Sequence, residues 1–344
     1  TYCEALREGL EQAMERDKRV FVMGIGVDGP GAIFGSTAGL WQKFGRERVF
    51  DTPLAENGIT GVAVGAALAG MRPVMVHQRM DFMLYAMDQI VNHAAKWHYM
   101  FGGRLNVPLT IRAIIGRGWW QGAQHSQSLQ ALFMHVPGLK VVMPSSASDA
   151  KGLLMASIED ENPVIFIEHR WLYGQTGEVP EEPYSIPIGR GVIKKEGRDA
   201  TVVALSHMVV MALEAAHSLE AEGIDVEIVD PRSVKPLDEA IICNSVKKTG
   251  RLIIADTGWK TSGVGAEIAA LAAEKAFKYL KAPVRRVALP DVPTPTSYAL
   301  EARYYPGPGD IVSAVKAAIH GEGEIAAAQS GSSSGSSKPF EGPF

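Results

Sequence analysis

Cysteine is nearly absent. Cys3 and Cys243 are the two in 344 residues, with neither the number nor the spacing of a disulfide framework or a zinc site, so both are expected as free thiols in a reducing compartment such as the cytoplasm. Long apolar runs are also lacking. The longest, GVAVGAALAG at 61–70, falls short of the roughly 20 residues that span a bilayer, and no basic segment leads into an apolar signal core. The chain begins without methionine, which leaves room for a trimmed leader and an organellar matrix. Neither sign of charge dominates: 34 Lys and Arg stand against 38 Asp and Glu. That balance gives no electrostatic footprint for nucleic acid or a membrane surface, so small molecules and proteins are the expected partners.

What is present is an alternation. Apolar runs bounded by glycine and proline exchange with helical patterns, as expected when helices cover both faces of a parallel sheet. The first series predicts a helix near 2–16, strands VFVMGI and RVFDTPL, a helix over 57–70, strand RPVMVH and a helix near 82–101. It continues with strand PLTIRAII, a helix over 126–134, strand LKVVMP, a helix near 147–159 and strand PVIFIEH. The stretch LYGQTGEVPEEPYSIPIGRG has no helical period and reads as a linker. A second series follows, with strands DATVVALS, IDVEIVD, GRLIIAD and APVRRVAL and helical patterns MALEAAHSLEAEG and AEIAALAAEKAFKYL. The expected fold class is α/β, two parallel-sheet domains at 1–175 and 196–320, joined by a linker at 176–195. A Gly- and Ser-rich tail at 321–344 is expected to be flexible, with KPFEGPF as a candidate docking motif.

GIGVDGPG at 24–31 carries G-x-G-x-x-G after a strand, and Asp51 ends the next strand, as in a dinucleotide-binding unit. In that unit the third glycine opens a helix aimed at the pyrophosphate. Here Pro30 and Gly31 intervene and a helix is expected only near Ser36, which argues against nicotinamide cofactors.

DTPLAENGITG at 51–61 places an acid, Glu56, at the edge of an apolar, glycine-rich run. Two roles are open to it: a charge favouring the N-terminus of the following helix, or a catalytic carboxyl. The surrounding wording decides between them. RVFDTPLAENGITGVAVGAALAGMRPV, FMLYAMDQIVNHAAKWHYMFGG, GAQHSQS, PGLKVVMPSSASDAKGLL, ENPVIFIE, VDPRSVKPLDEAIICNSVKKTGRLIIADTGW and GVGAEIAA resemble the beta subunit of thiamine-diphosphate-dependent 2-oxo acid dehydrogenases. These are the decarboxylating first components of the pyruvate, branched-chain and acetoin complexes. The resemblance spans nearly all of residues 2–320 and implies a transketolase-like pyrimidine-binding domain followed by a transketolase C-terminal-like domain.

The resemblance implies that Glu56 faces the aminopyrimidine of thiamine diphosphate. A carboxyl hydrogen-bonded to that ring favours the imino tautomer able to take the proton of the thiazolium carbon, and a desolvated pocket raises its pKa for the task. His125 is implied to contact the substrate or acyl acceptor, a role suited to a group titrating near neutrality. Alone it reads equally as a histidine held at a helix start. Phe82, with Tyr85 close by, is implied to pack against the pyrimidine, and Leu54 to lie beside it. A monovalent cation, typically potassium, is implied at Leu109, Ser157, Ile158, Asp160 and Asn162, where a structural helix end is the competing reading. No convincing G-D-G followed by asparagine for magnesium and the diphosphate appears. The family takes that half of the site from an alpha-type subunit in an alpha2 beta2 heterotetramer.

The chain departs from the family wording near the expected pocket. Ile25 and Gly26 stand where relatives carry an acidic pair, and MVHQRMDF brings in His77, Gln78, Arg79 and Asp81. GRGWWQ adds Arg117, Trp119 and Trp120, either as a wall at the cofactor entrance or as an interface. Arg79 and Arg117 suit a second carboxylate or a phosphate on the substrate. The resemblance implies decarboxylation of a 2-oxo acid and transfer of the fragment to a lipoyl acyltransferase. A transketolase-like carboligase working without a lipoyl partner, and a non-catalytic regulatory subunit, stay open as alternatives.

Overall fold

Short runs of β-branched and apolar residues become strands wherever helices can cover them on both sides. In the computed structural model, which describes residues 1–116 and 121–321, these strands are β1 (Val20–Gly24), β2 (Val49–Phe50), β3 (Arg72–His77), β4 (Thr110–Ile115), β5 (Lys140–Val142), β6 (Val164–His169), β7 (Val192–Lys195), β8 (Ala200–Ala204), β9 (Val226–Asp230), β10 (Ser233–Lys235), β11 (Leu252–Trp259) and β12 (Arg285–Leu289). They form two sheets, ordered β10-β5-β6-β4-β3-β1-β2 and β12-β11-β8-β9-β7. The pairings are parallel apart from one edge strand in each sheet, β10 on β5 and β7 on β9. Every residue of β3, β4 and β6 is buried, as a central strand covered on both faces requires. Arg117, Trp119, Trp120 and the predicted tail beyond Gly321 lie outside the described residues.

Both antiparallel edges depart from the sequence reading. β7 falls within the stretch read as linker, yet it belongs to the second sheet through Val192 and Asp230. β10 was not expected: three residues from the second half of the chain pair with the edge of the first sheet at Val141 and Val142. The crossing carries charge with it. Asp149, buried on the helix Ala147–Glu159, pairs with Arg232 at 2.7 Å and Lys194 at 2.6 Å, while Ser145 donates to Asp230.

The helix expected near 82–101 runs from Met80 to Met100 with a π-helical segment, Asp88–Ala94, in its middle. Gly61 on the neighbouring helix Glu56–Leu68 sits against that segment; a Cβ there would lie 3.2 Å from Gln89 Oε1. The helix predicted over 126–134 starts only at Gln130. The preceding residues are held in irregular backbone because Asp81 accepts from both the amide and the side chain of Gln127, at 3.3 and 2.8 Å. The dinucleotide reading also fails structurally. After Gly29 the chain runs through turns, and the next helix is Leu40–Phe44. Asp51 accepts a hydrogen bond from the Gly26 amide at 2.6 Å, so it ties the loop down.

Burial pushes the Asp230 carboxyl up to about 6, against the opposing pull of Lys194. A carboxyl raised on folding contributes stability that is full below the ordinary aspartate range and lost as pH climbs through 6. The urea-unfolding stability of wild type relative to Asp230→Asn is therefore predicted to fall between pH 4 and pH 7. A difference that stays flat across that range would contradict this placement.

Candidate functional site

Ligands of open parallel sheets bind beyond the carboxyl ends of the strands, and the predicted residues gather there. β3 ends at His77 and the chain turns through Gln78 and Arg79 into the helical run that carries Phe82. Gln78 Nε2 donates to the Ile25 carbonyl at 2.8 Å, binding this turn to the loop after β1. The two strands approach closely at this level. Gly24 has φ +148°, and a Cβ on it would stand 2.3 Å from the Val76 carbonyl oxygen.

Glu56 is the first residue of its helix, whose N-cap Ala55 provides no side-chain hydrogen bond. Its charge thus suits the helix dipole, the bland role considered for it. It also lines a pocket of about 90 Å³ with Leu54, Phe82, His77, Gln78, Ile25, Met75 and Val76. Glu56 is only half-buried, so this chain alone does not supply the full desolvation expected around the acid. Phe82 meets the His125 ring edge-on, with centroids 5.2 Å apart at 90°. His125 ends a short 3-10 turn, Gly122–Gln124, instead of opening a helix. Gly122 in that turn has φ +70° and packs on the second domain, where a Cβ would meet Thr296 Oγ1 at 2.4 Å. Leu54 is 81% and Tyr85 72% exposed beside the acid. One wall of a site is present, and its rim is apolar and open.

His77 and Arg79 are deeper than the sequence indicated. Burial pushes the His77 imidazole down to about 4, so the ring is neutral near pH 7. Arg79 donates to the Gly116 carbonyl at 2.7 Å and lies 5.8 Å from the centroid of Phe34, and burial lowers its pKa. Sequence reasoning did not anticipate the neighbouring His169 and His207, which stack with centroids 4.8 Å apart. They come from opposite domains, and neither belongs to a quoted motif as a site residue.

The residues expected to hold a cation are engaged in hydrogen bonds within the chain. The Val164 amide donates to the Leu109 carbonyl, Ser157 donates to Leu153 within the helix, and the Asn162 amide donates to the Asp160 side chain. Arg72 Nη1, however, donates to the carbonyls of Ile158 and Asp160 at 2.9 and 3.1 Å, and Lys140 pairs with the Asp160 carboxylate. A guanidinium thus reaches two of the expected carbonyls at this helix end, Ile158 and Asp160. Among the described residues, no group of three or more His, Cys, Asp or Glu side chains is placed to hold a metal ion. No described helix is long and apolar enough to cross a membrane.

Two domains with an acid, an aromatic ring and a histidine at the strand ends define a transketolase-type chain. Residues 1–176 match the transketolase pyrimidine-binding domain and residues 189–311 the transketolase C-terminal domain. The chain is 46% identical over 322 residues to the beta subunit of acetoin:2,6-dichlorophenolindophenol oxidoreductase from Bacillus subtilis, covering 90% of this chain and 94% of that protein. It is 46% identical over 316 residues to the pyruvate dehydrogenase E1 component subunit beta of Rickettsia felis, covering 92% and 97%. Against the mitochondrial beta-1 subunit of Arabidopsis thaliana pyruvate dehydrogenase E1 it is 45% identical over 324 residues, covering 93% and 89%. A solved split-gene transketolase, described as an inactive beta4 tetramer, superposes with a TM-score of 0.77 at 28% identity, covering 92% and 98%. The chain belongs to the beta-subunit family of thiamine-diphosphate-dependent 2-oxo acid dehydrogenase first components.

The pocket fits one face of such a cofactor: an acid, an aromatic ring and apolar walls, with about 90 Å³ of space, too little to enclose a whole thiamine diphosphate. The tight crossing of Gly24 over Val76 adjoins two of its lining residues, Ile25 and Val76. Gly24→Ala is predicted to destabilise the fold by about 2–4 kcal/mol through combined backbone strain and overlap with Val76, measured by chemical unfolding. Full retention of stability would contradict the crossing.

Proposed function

We propose that this chain is the catalytic beta-type half of a two-chain enzyme that decarboxylates a 2-oxo acid and transfers the remaining fragment. The observation that carries the reading is the assembly of Glu56, Phe82 and His125 around a small pocket that is open on one side. The relatives' names point to a second subunit, and the surface beside the pocket is suited to one. Leu54, Tyr85 and Val62 are exposed there, and Gly58 and Gly65, on the same stripe of the Glu56 helix as Val62, face open space. An alpha-type chain seated on this stripe in an alpha2 beta2 assembly would close the pocket, desolvate Glu56 and bring the magnesium and diphosphate ligands.

When bound, thiamine diphosphate supplies the carbon that attacks the oxo group and holds the electron pair left by decarboxylation. This chain's residues act around it. Glu56 holds a proton against the pyrimidine ring, Phe82 gives that ring an aromatic surface, and Leu54 excludes water from its edge. His125, oriented by the Phe82 ring and by the pinned backbone at Gln127, moves a proton at the substrate or acceptor. In the family pattern the acceptor is the lipoyl group of an acyltransferase. The polar edge of His77 and Arg79 favours a second reading, carboligation or ketol transfer to a small acceptor. The retained acid and histidine oppose a purely regulatory subunit. With both cysteines free, the cytoplasm, or an organellar matrix behind a leader, suits the chain.

The test is reconstitution with an alpha-type chain and decarboxylation of a panel of 2-oxo acids with thiamine diphosphate and magnesium. Turnover is expected only with both chains, and Glu56→Gln is expected to lower kcat by about 100-fold or more. Val62→Arg should prevent co-purification of the two chains while the variant's own melting temperature holds, because Val62 packs on nothing within this chain's core. Turnover that survives Glu56→Gln would refute the assignment.

A further inference from the structure

His125 stands on a segment with little regular structure of its own. Between the short turn Gly122–Gln124 and the helix Gln130–His135, residues 126–129 are neither helix nor strand, so the position of the ring depends on what grips the segment from outside. The first domain provides one hold. The Leu129 amide donates to the Met80 sulfur at 3.2 Å, and Asp81 accepts from the Gln127 side chain at 2.8 Å.

The second domain provides the other, and it does so from one place, the final residues of β11. Gln130 Nε2 donates to Asp256 Oδ1 at 2.7 Å and to Thr257 Oγ1 at 3.3 Å. Gln130 and Asp256 are both buried. The same Asp256 oxygen accepts from the Gly258 amide at 3.0 Å, and two donors converging on one carboxylate oxygen fix its direction. Gly258 lies against the segment, where a Cβ would stand 3.4 Å from the Ser128 carbonyl oxygen. Trp259 braces the far end. Its Nε1 donates to the Val292 carbonyl and to the Tyr304 hydroxyl, both at 3.1 Å, and Thr294 Oγ1 donates to that hydroxyl at 3.2 Å. These bonds tie down the stretch whose Thr296 meets Gly122, three residues before His125.

We propose that Asp256, in the second domain, is a positioning residue for His125: through Gln130 it fixes the segment on which the imidazole reaches the substrate or acceptor. A proton-transfer group must be held within a fraction of an ångström of its productive place, so a loosened segment costs rate even with the ring intact. The inference rests on the proton-transfer role proposed for His125. It gives the second domain a part in the reaction, although the residues lining the Glu56 pocket all come from the first.

The experiment is a double-mutant cycle on the reconstituted two-chain complex, joined to hydrogen–deuterium exchange of this chain in the same complex. Asp256→Leu keeps the size of the side chain and removes the acceptor. It is expected to lower kcat about tenfold or more with KM held within about twofold. Exchange at residues 123–129 should quicken while β3 and β4 keep their wild-type rates. In a His125→Ala background the same substitution should cost less than about twofold, because the group it positions is gone. Should Asp256→Leu fail to fold, Gln130→Met removes the donor instead and carries the same expectations. An equal loss in both backgrounds, unchanged exchange at 123–129, or a kcat that holds overturns the proposal. If His125→Ala loses turnover and Asp256→Leu does not, the role of His125 stands and the positioning role fails alone. Full turnover by His125→Ala refutes the role of His125, and the positioning role falls with it. If the wild type turns over no 2-oxo acid, the functional reading fails, and exchange decides the grip: quickening confined to 123–129 upholds it and its absence overturns it.

Discussion

The central strands β4 and β6 are joined by one buried ion pair. Arg112 on β4 and Glu168 on β6 are fully buried and joined by two hydrogen bonds of 2.5 and 2.8 Å. Burial opposes the charged guanidinium, but Glu168 outweighs that and raises its pKa. The pair recruits other segments. Arg112 donates to Ser36, and Tyr173 donates to Glu168 at 2.6 Å. The loop after β1 and the entry to the interdomain stretch therefore share one polar knot. Removing one partner would leave an uncompensated buried charge, at a cost of about 3–5 kcal/mol. The loops that build the site depend on that knot: Phe34, next to Ser36 by one residue, is the surface on which Arg79 and Arg170 rest.

From this anchor the chemistry follows in a short chain of contacts. A fixed loop after β1 fixes Gln78 through Ile25. That sets the turn into Phe82, and Asp81 in the same turn draws in the segment bearing His125. Glu56 arrives independently on its own helix, whose packing against the π-helical segment depends on Gly61. The result is one wall of a site with an exposed apolar rim, a geometry that makes sense for a subunit which works against another chain.

Much of this was legible because the strong periodic elements and the family wording lie where burial is most demanding. β3, β4 and β6 read as continuous apolar runs because both faces are covered. Glu56, His125 and Phe82 were nameable because their motifs are contiguous. β7 and β10 were not legible: four and three residues long, they are specified by partners far away in sequence, which local pattern does not record. The start of the helix at Gln130 depends on Asp81, and the histidine stack depends on two domains meeting. The cation residues show the same limit from the other side, since carbonyl oxygens leave no trace in side-chain identity and Arg72 reaches two of them, at Ile158 and Asp160, from β3.

The central claim is that this chain offers half of a site whose missing half is another protein. Hydrogen–deuterium exchange on the chain alone, and after mixing with an alpha-type chain and thiamine diphosphate, tests it most directly. The account predicts new protection concentrated at residues 54–66 and 82–85. Complex formation that leaves those segments as exposed as before, with protection elsewhere, would contradict it.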